Sequence, residues 1–253
     1  MEEKSLLDKV LDMSKDELFP KHEIVLPSRG LYYDDMIPNG TVNIRPMNIF
    51  TEKMLANSSV VKGDNGIGGI IKNCVEFPSE FDIRNLLIGD VNYILYVLRA
   101  ISYGNIYEFT VMCDNCNSPI QMQYDFNNMN GSVKWANENI IEPFEITLPD
   151  ISKKLREKCT VKMRFARRYD SENGNQGISN LIIEALGSKE KVKINKFYGE
   201  RLSIKDKSII TDKIKEVTPG INTTVEVKCS KCGNNMEKVG LPITEEFFRY
   251  QGD

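Results

Sequence analysis

Over residues 1–20, apolar side chains fall at Leu6, Leu7, Val10, Leu11 and Leu18, the three- and four-residue spacing of a helix face. The stripe is narrow and its cap signals are poor, so this stretch reads as a short amphipathic arm that gains little from folding alone. From Glu23 the pattern turns extended: Ile24-Val25-Leu26-Pro27, then Leu31-Tyr32-Tyr33, with Pro27 and Gly30 bracketing a loop. Thr41-Val42-Asn43-Ile44-Arg45 alternates β-branched with polar residues, a half-buried strand entered through the turn Pro38-Asn39-Gly40. Helical spacing returns over 50–55 and 67–75. It is strongest over 90–102, where Tyr93, Ile94, Val97, Leu98 and Ile101 make the stripe, Asp90 is read as the N-cap and Gly104 as the stop. Residues 106–112 and 120–124 then read as strands around Cys113 and Cys116.

The second half runs through a similar order. Ile146-Thr147-Leu148-Pro149 echoes Ile24-Val25-Leu26-Pro27, and Val161-Lys162-Met163-Arg164-Phe165 echoes Val42-Asn43-Ile44-Arg45-Pro46. Helical spacing follows over 178–186 and 203–217, and Val217-Thr218-Pro219-Gly220 lines up with Ile101-Ser102-Tyr103-Gly104. Residues 224–227 and 238–241 read as strands around Cys229-Ser230-Lys231-Cys232. Each Cys-x-x-Cys lies nine residues beyond its glycine, and the two copies are offset by 116 residues (229 − 113 and 220 − 104). Order and offset together predict an α+β protein of two pseudo-repeated strand-helix-strand units, each ending in a Cys-x-x-Cys β-hairpin knuckle, joined at one zinc-ribbon-like site. The expected division is an N-terminal arm over 1–22, a first repeat with its knuckle over 23–126, a linker over 127–143 that holds the single tryptophan, Trp135, and a second repeat over 144–253.

The cysteines carry the most specific chemistry. A tight Cys-x-x-Cys turn between strands places two sulfurs on one side of the loop, and two such turns complete a tetrahedron. Soft thiolates suit zinc, and a set of four cysteines leaves no open position for water or substrate, so Cys113, Cys116, Cys229 and Cys232 are expected to hold one structural zinc per chain. Gly233 after the second pair, and Asn117 after the first, are residues that tolerate the positive φ such a turn needs. Cys74 and Cys159 fall on apolar patterns and read as buried small hydrophobes.

Composition narrows the function classes. With 33 basic and 36 acidic residues the net charge is −3, a poor match to a chain whose main task is neutralising a phosphate backbone. The start Met1-Glu2-Glu3-Lys4 lacks the basic and apolar regions of a secretory signal, which points to a reducing cytosol where paired cysteines bind metal rather than form disulfides. The apolar runs fall well short of the ~20 residues a membrane-spanning helix needs. His22 is the single histidine, so Ser-His-Asp and Cys-His catalysis have nothing to build on. The glycine-rich stretch 63–69 joins two helical segments and lacks the Lys-Ser/Thr pair of a phosphate loop. Asp34-Asp35 and Glu245-Glu246 are sequence neighbours whose side chains diverge, and neither reads as a general acid/base pair. No catalytic or cofactor-binding residues are expected, and the chain is not read as an enzyme.

Leu98-Arg99-Ala100-Ile101-Ser102-Tyr103-Gly104, followed by a strand and Cys-x-x-Cys, resembles the baseplate hub and hub-assembly protein family of contractile-tailed, T-even-type bacteriophages. Ile44-Arg45-Pro46 before a helix with Glu52 and Lys53, the lead-in from Phe81-Asp82-Ile83 to Leu87-Ile88-Gly89-Asp90, and the terminal Leu241-Pro242-Ile243-Thr244-Glu245-Glu246-Phe247-Phe248 strengthen the resemblance. It implies a structural or assembly component of the tail baseplate, placed in the virion after assembly in the host cytoplasm. Its partners would be other baseplate and hub proteins in a symmetric, multi-copy assembly, with no membrane and no nucleic acid. The arm, segment 24–33 and Phe247-Phe248-Arg249-Tyr250 are the expected partner contacts. The rival is a zinc-ribbon nucleic-acid-binding protein, which would set Lys228, Lys231 and Lys238, with Arg164, Arg167 and Arg168 on a strand, beside exposed aromatics.

Overall fold

The structure is a computed structural model that describes residues 5–56, 66–172, 177–241, 243 and 245–248. The first half contains α1 (Leu6–Asp12), α2 (Lys15–Leu18), β1 (His22–Val25), β2 (Thr41–Ile44), α3 (Ile49–Ala56), α4 (Ile67–Cys74), β3 (Val75–Glu76), α5 (Ile88–Tyr103), β4 (Ile106–Met112) and β5 (Pro119–Asp125). After a 3-10 stretch, Phe126–Ser132, come β6 (Val133–Lys134), β7 (Phe144–Thr147), α6 (Pro149–Leu155), β8 (Thr160–Met163), α7 (Arg168–Glu172), α8 (Ile178–Leu181), β9 (Ile182–Ala185), α9 (Lys191–Lys196) and α10 (Ile204–Val217). The last strands are β10 (Gly220–Ile221), β11 (Thr224–Lys228) and β12 (Asn235–Gly240). The fold is mixed α and β, with several small antiparallel sheets rather than one large one.

Two of those sheets are three-stranded, β1-β2-β3 and β7-β8-β9, and all their pairings are antiparallel. The alternation in β2 turns Val42 and Ile44 inward, and Val161 and Met163 of β8 do the same. Both sheets and the helices feed one hydrophobic cluster that runs from Leu26 to Phe248. Tyr32 of the first half packs on Phe165 of the second, with ring centroids 4.6 Å apart. Gly89 lets the start of α5 press against the backbone of β10, where an added Cβ would lie 1.9 Å from the Pro219 carbonyl oxygen.

Buried polar groups organise the first half. Asp90, read from the sequence as the N-cap, instead sits at the third helical position of α5, and the N-cap is Leu87. Its buried carboxylate therefore serves tertiary structure: it accepts from the Ser28 N–H at 2.9 Å and from the Tyr33 hydroxyl, whose oxygen in turn accepts from Leu87 N–H. Arg99, also fully buried, donates Nη1 to the Gly104 carbonyl at 3.0 Å and Nη2 to the Ile106 carbonyl at 3.2 Å. Its guanidinium lies against the rings of Tyr103 and Tyr107, 5.3 and 5.4 Å from their centroids. Ser102 accepts from Met47 N–H and Tyr103 donates to Glu52, so the run that carries the resemblance is the joint between α5, α3 and the first hairpin.

Four expectations are corrected. Residues 178–186 are not one helix: one turn, α8, leads into β9, whose Ile182 pairs with Met163. Three apolar β-branched residues in a short run fit either period, and sheet pairing decides. The arm is properly capped, because Ser5 and Asp8 form a reciprocal capping box. Phe247 and Phe248 are buried, with Phe247 edge-on to Tyr96 and Tyr107, so these two are core rather than a partner surface; Arg249 and Tyr250 lie outside the described residues, as do residues 63–65 of the glycine-rich stretch. Arg164, Arg167 and Arg168 follow β8 instead of lying on it. Arg164 makes a two-pronged pair with Asp170 at 2.7 Å on both oxygens, Arg167 pairs with Glu142, and Arg168 is buried.

Candidate metal centre

Two hairpins build the site. In the first, β4 and β5 pair in unbroken register from Ile106–Asp125 contact to Met112–Pro119 contact, which leaves the turn to Cys113 through Ser118. Tyr107 and Phe109 point inward from β4 and anchor the hairpin on the core, and Arg99 fixes the chain where it leaves α5. In the second, β11 pairs with β12 around a bulge at Val225/Val227, with Val227 and Met236 buried beneath it.

The two turns have the same hydrogen bonds. Asn117 N–H donates to the Cys113 carbonyl at 2.8 Å, and Gly233 N–H to the Cys229 carbonyl at 2.9 Å. Cys113 N–H donates to Ser118, and Cys229 N–H to Asn234, closing each loop. The residue after each second cysteine is left-handed, Asn117 at φ 56 and Gly233 at φ 75. The left-handed residue lets the chain reverse at once, and both sulfurs of each turn project to one side.

The turns face each other, and all four sulfurs lie within 4.8 Å of one another. Cys113 Sγ is 3.6 Å from Cys232 Sγ, and Cys116 Sγ is 3.7 Å from Cys229 Sγ. A tetrahedral ion with metal–sulfur bonds of about 2.3 Å sets its sulfurs about 3.8 Å apart, so the cluster has the size of a four-thiolate coordination shell. The site is compatible with a metal. Asn234 Nδ2 also donates to Asp114 across the two turns, a link that the spacing of the cysteines does not reveal.

Protonation follows from the crowding. Ser118, through its side chain and its N–H, draws the Cys116 thiol down to about 6, and the N–H groups of Cys116 and Asn115 hold Cys113 below the usual thiol range. Cys232 is pushed up to about 11: the Asn234 N–H favours its anion, but the sulfurs of Cys116 and Cys113 keep a proton on it. A cation binds cysteine as the thiolate, so loading the site would release protons. Cys113 and Cys229 are buried, Cys116 is partly buried and Cys232 is exposed, which leaves one edge through which an ion can enter.

The surface around the turns carries both signs. The first hairpin has Glu108, Asp114 and Asp125 and no lysine or arginine, while on the second Lys228, Lys231 and Lys238 alternate with Glu226 and Glu237. Tyr107 and Phe109 face inward, so neither is a platform for a base. His22 is exposed on β1, and Cys74 and Cys159 are buried away from the cluster as expected.

The family described as T4 bacteriophage base plate protein matches residues 20–249 of this chain. The chain belongs to that family. The span shared with the baseplate family takes in all four cysteines, Arg99 and Asp90, and it leaves out α1 and α2. No curated protein and no solved structure matches the chain. Among the described residues of this baseplate family member, no helix is long and apolar enough to cross a membrane.

Proposed function

We propose that the chain is a structural or assembly component of the hub of a contractile-tail baseplate, acting through protein–protein contacts rather than catalysis. One zinc ion on Cys113, Cys116, Cys229 and Cys232 would clasp its two halves. The observation that carries the reading is the four-sulfur cluster, drawn from hairpins far apart in sequence, inside a chain of the baseplate family. A four-thiolate shell is closed to substrate, so the metal would serve structure and the function would lie on the outer surfaces.

We read the chain as a duplicated unit: arm 1–22, first repeat 23–126, linker 127–143 and second repeat 144–253. Supporting this, each half has a three-stranded antiparallel sheet, a long helix after it and a hairpin with the same turn. A further correspondence lies inside the core. Asp206 occupies the third position of α10 as Asp90 does in α5, at the same offset of 116 residues (206 − 90), and both are fully buried. Asp206 accepts from Asp150 N–H at 3.0 Å and Ile151 N–H at 3.1 Å, just past Leu148-Pro149, while Asp90 accepts from Ser28, just past Leu26-Pro27. Ile94 and Ile210, one turn on, are both fully buried.

The nucleic-acid rival needs a continuous basic face with stacking rings. The mixed charge on the hairpins and the internal pairing of Arg164 and Arg167 favour the scaffold. Mass spectrometry of purified tails tests the placement. The chain is expected in intact baseplates, while recovery only from assembly intermediates would assign it to assembly, and absence from both would refute the reading.

A further inference from the structure

Among the described residues, two apolar surfaces of this chain have no cover. The first is the arm: α1 has a capping box at its start but not one buried residue, and Leu6, Leu7 and Leu11 are 79, 67 and 72% exposed. The second is a groove of about 490 Å³ between α3 and the end of α5, lined by Phe19, Met47, Ile49, Phe50, Glu52 and Tyr103. Ile49 and Phe50 on its rim are 71 and 66% exposed.

The arm does not fill the groove of its own chain. Its root is pinned beside it: Asp16 pairs with Arg45 at 2.9 Å and with Lys21 at 3.3 Å, and Phe19 is already part of the groove wall. From that root α1 runs on without burying a residue. Helix geometry places Leu6, Leu7, Val10 and Leu11 within one face, puts Lys9 on one flank and Asp8, held by Ser5 in the capping box, on the other, and turns Asp12 away. The groove offers Glu52 beside its apolar wall, an anion to meet that lysine.

We propose that α1 docks, apolar face first, into the α3/α5 groove of a second copy of this chain, with Lys9 against Glu52, and that a two-fold pair exchanges arms. A stripe and a groove on one chain that do not meet in cis satisfy each other twice in such a pair, and the contact closes without growing into a fibre. The arm lies outside the span matched by the baseplate family. This names one contact of the scaffold reading and is independent of the metal.

Sedimentation equilibrium of the full chain tests it, at concentrations up to about 100 µM, a range that captures even weak dimers. The wild-type chain is expected to be a dimer. Leu7→Asp with Leu11→Asp, which alters only exposed positions, and Phe50→Asp, which alters the groove rim, are each expected to be monomers. Mixed together they should form a heterodimer, since one variant keeps its groove and the other its arm. Lys9→Glu should weaken the dimer at least tenfold and Glu52→Lys should restore it in the same chain. A wild-type monomer, including one that uses the arm only to bind a different baseplate protein, would overturn the proposal, as would a dimer that survives either variant. Neither result would touch the zinc content or the presence of the chain in tails.

Discussion

Burial pushes the Asp90 carboxyl up from 3.8 to about 6, against the opposing hydrogen bonds from Ser28 and Tyr33. Because the folded value lies above the unfolded one, the folded chain holds the proton more tightly. The stabilisation is complete below the unfolded pKa and disappears as pH rises through about 6. Integrated between pH 7 and pH 5, these two values give a gain of about 1.3 kcal/mol from this one group as the solution is acidified. The opposing carboxylates, Asp170 beside Arg164 and Glu76 beside Lys21 and Arg45, are held below their ordinary values and lose stability only as pH falls further, through those lowered values. Asp90→Asn removes the titration and keeps an acceptor for Ser28 N–H. Urea unfolding of both chains at pH 5, 6 and 7 gives the comparison, in which groups common to both cancel. The stability of the wild-type relative to the variant should rise by about 1.3 kcal/mol from pH 7 to pH 5. Parallel pH profiles, or a difference of the opposite sign, would refute the buried-carboxylate argument.

Three further substitutions probe the frame. Gly89→Ala puts a Cβ 1.9 Å from the Pro219 oxygen and 2.9 Å from Gly220 Cα, both backbone atoms. A loss of about 3 kcal/mol or more is expected in thermal or urea unfolding, because helix and strand must separate. Arg99→Met keeps the volume but leaves the Gly104 and Ile106 carbonyls without their donor, so a loss of about 2–4 kcal/mol is expected, together with weaker zinc retention against a chromophoric chelator. Gly233→Ala meets no atom within 4 Å and pays only for its φ of 75°, so a cost of about 1–2 kcal/mol on the metal-loaded chain is expected by calorimetry, with the stoichiometry unchanged.

The cysteine turns were legible because three signals coincide there: thiol spacing, flanking alternation, and Asn117 or Gly233 where the chain must turn left-handed. The long helix was legible from its stripe. Tertiary partners were not. Asp90 looks like a cap because a carboxylate near a helix start usually is one, and only the Tyr33–Ser28 loop folded against it gives it another task. Ser5 and Asp8 were missed as a capping box because Asp stands where Glu is usual. Phe247 and Phe248 look like surface anchors at a chain end until Tyr96 and Tyr107 are seen beneath them. The three arginines after β8 look like a basic strand until Arg164 is seen paired with Asp170, Arg167 with Glu142 more than twenty residues upstream, and Arg168 buried. For Asp90, Phe247 and Arg167 the residue type was informative and the partner lay too far along the chain to be read.

The central claim is that Cys113, Cys116, Cys229 and Cys232 hold one metal ion between the two hairpins. Zinc measured per chain on protein purified without added metal, alongside Cys229→Ser, tests it most directly. One equivalent in the wild-type chain, lost or strongly weakened in the variant together with a fall in melting temperature, is the predicted result. Two equivalents, or one that survives Cys229→Ser unchanged, would contradict it.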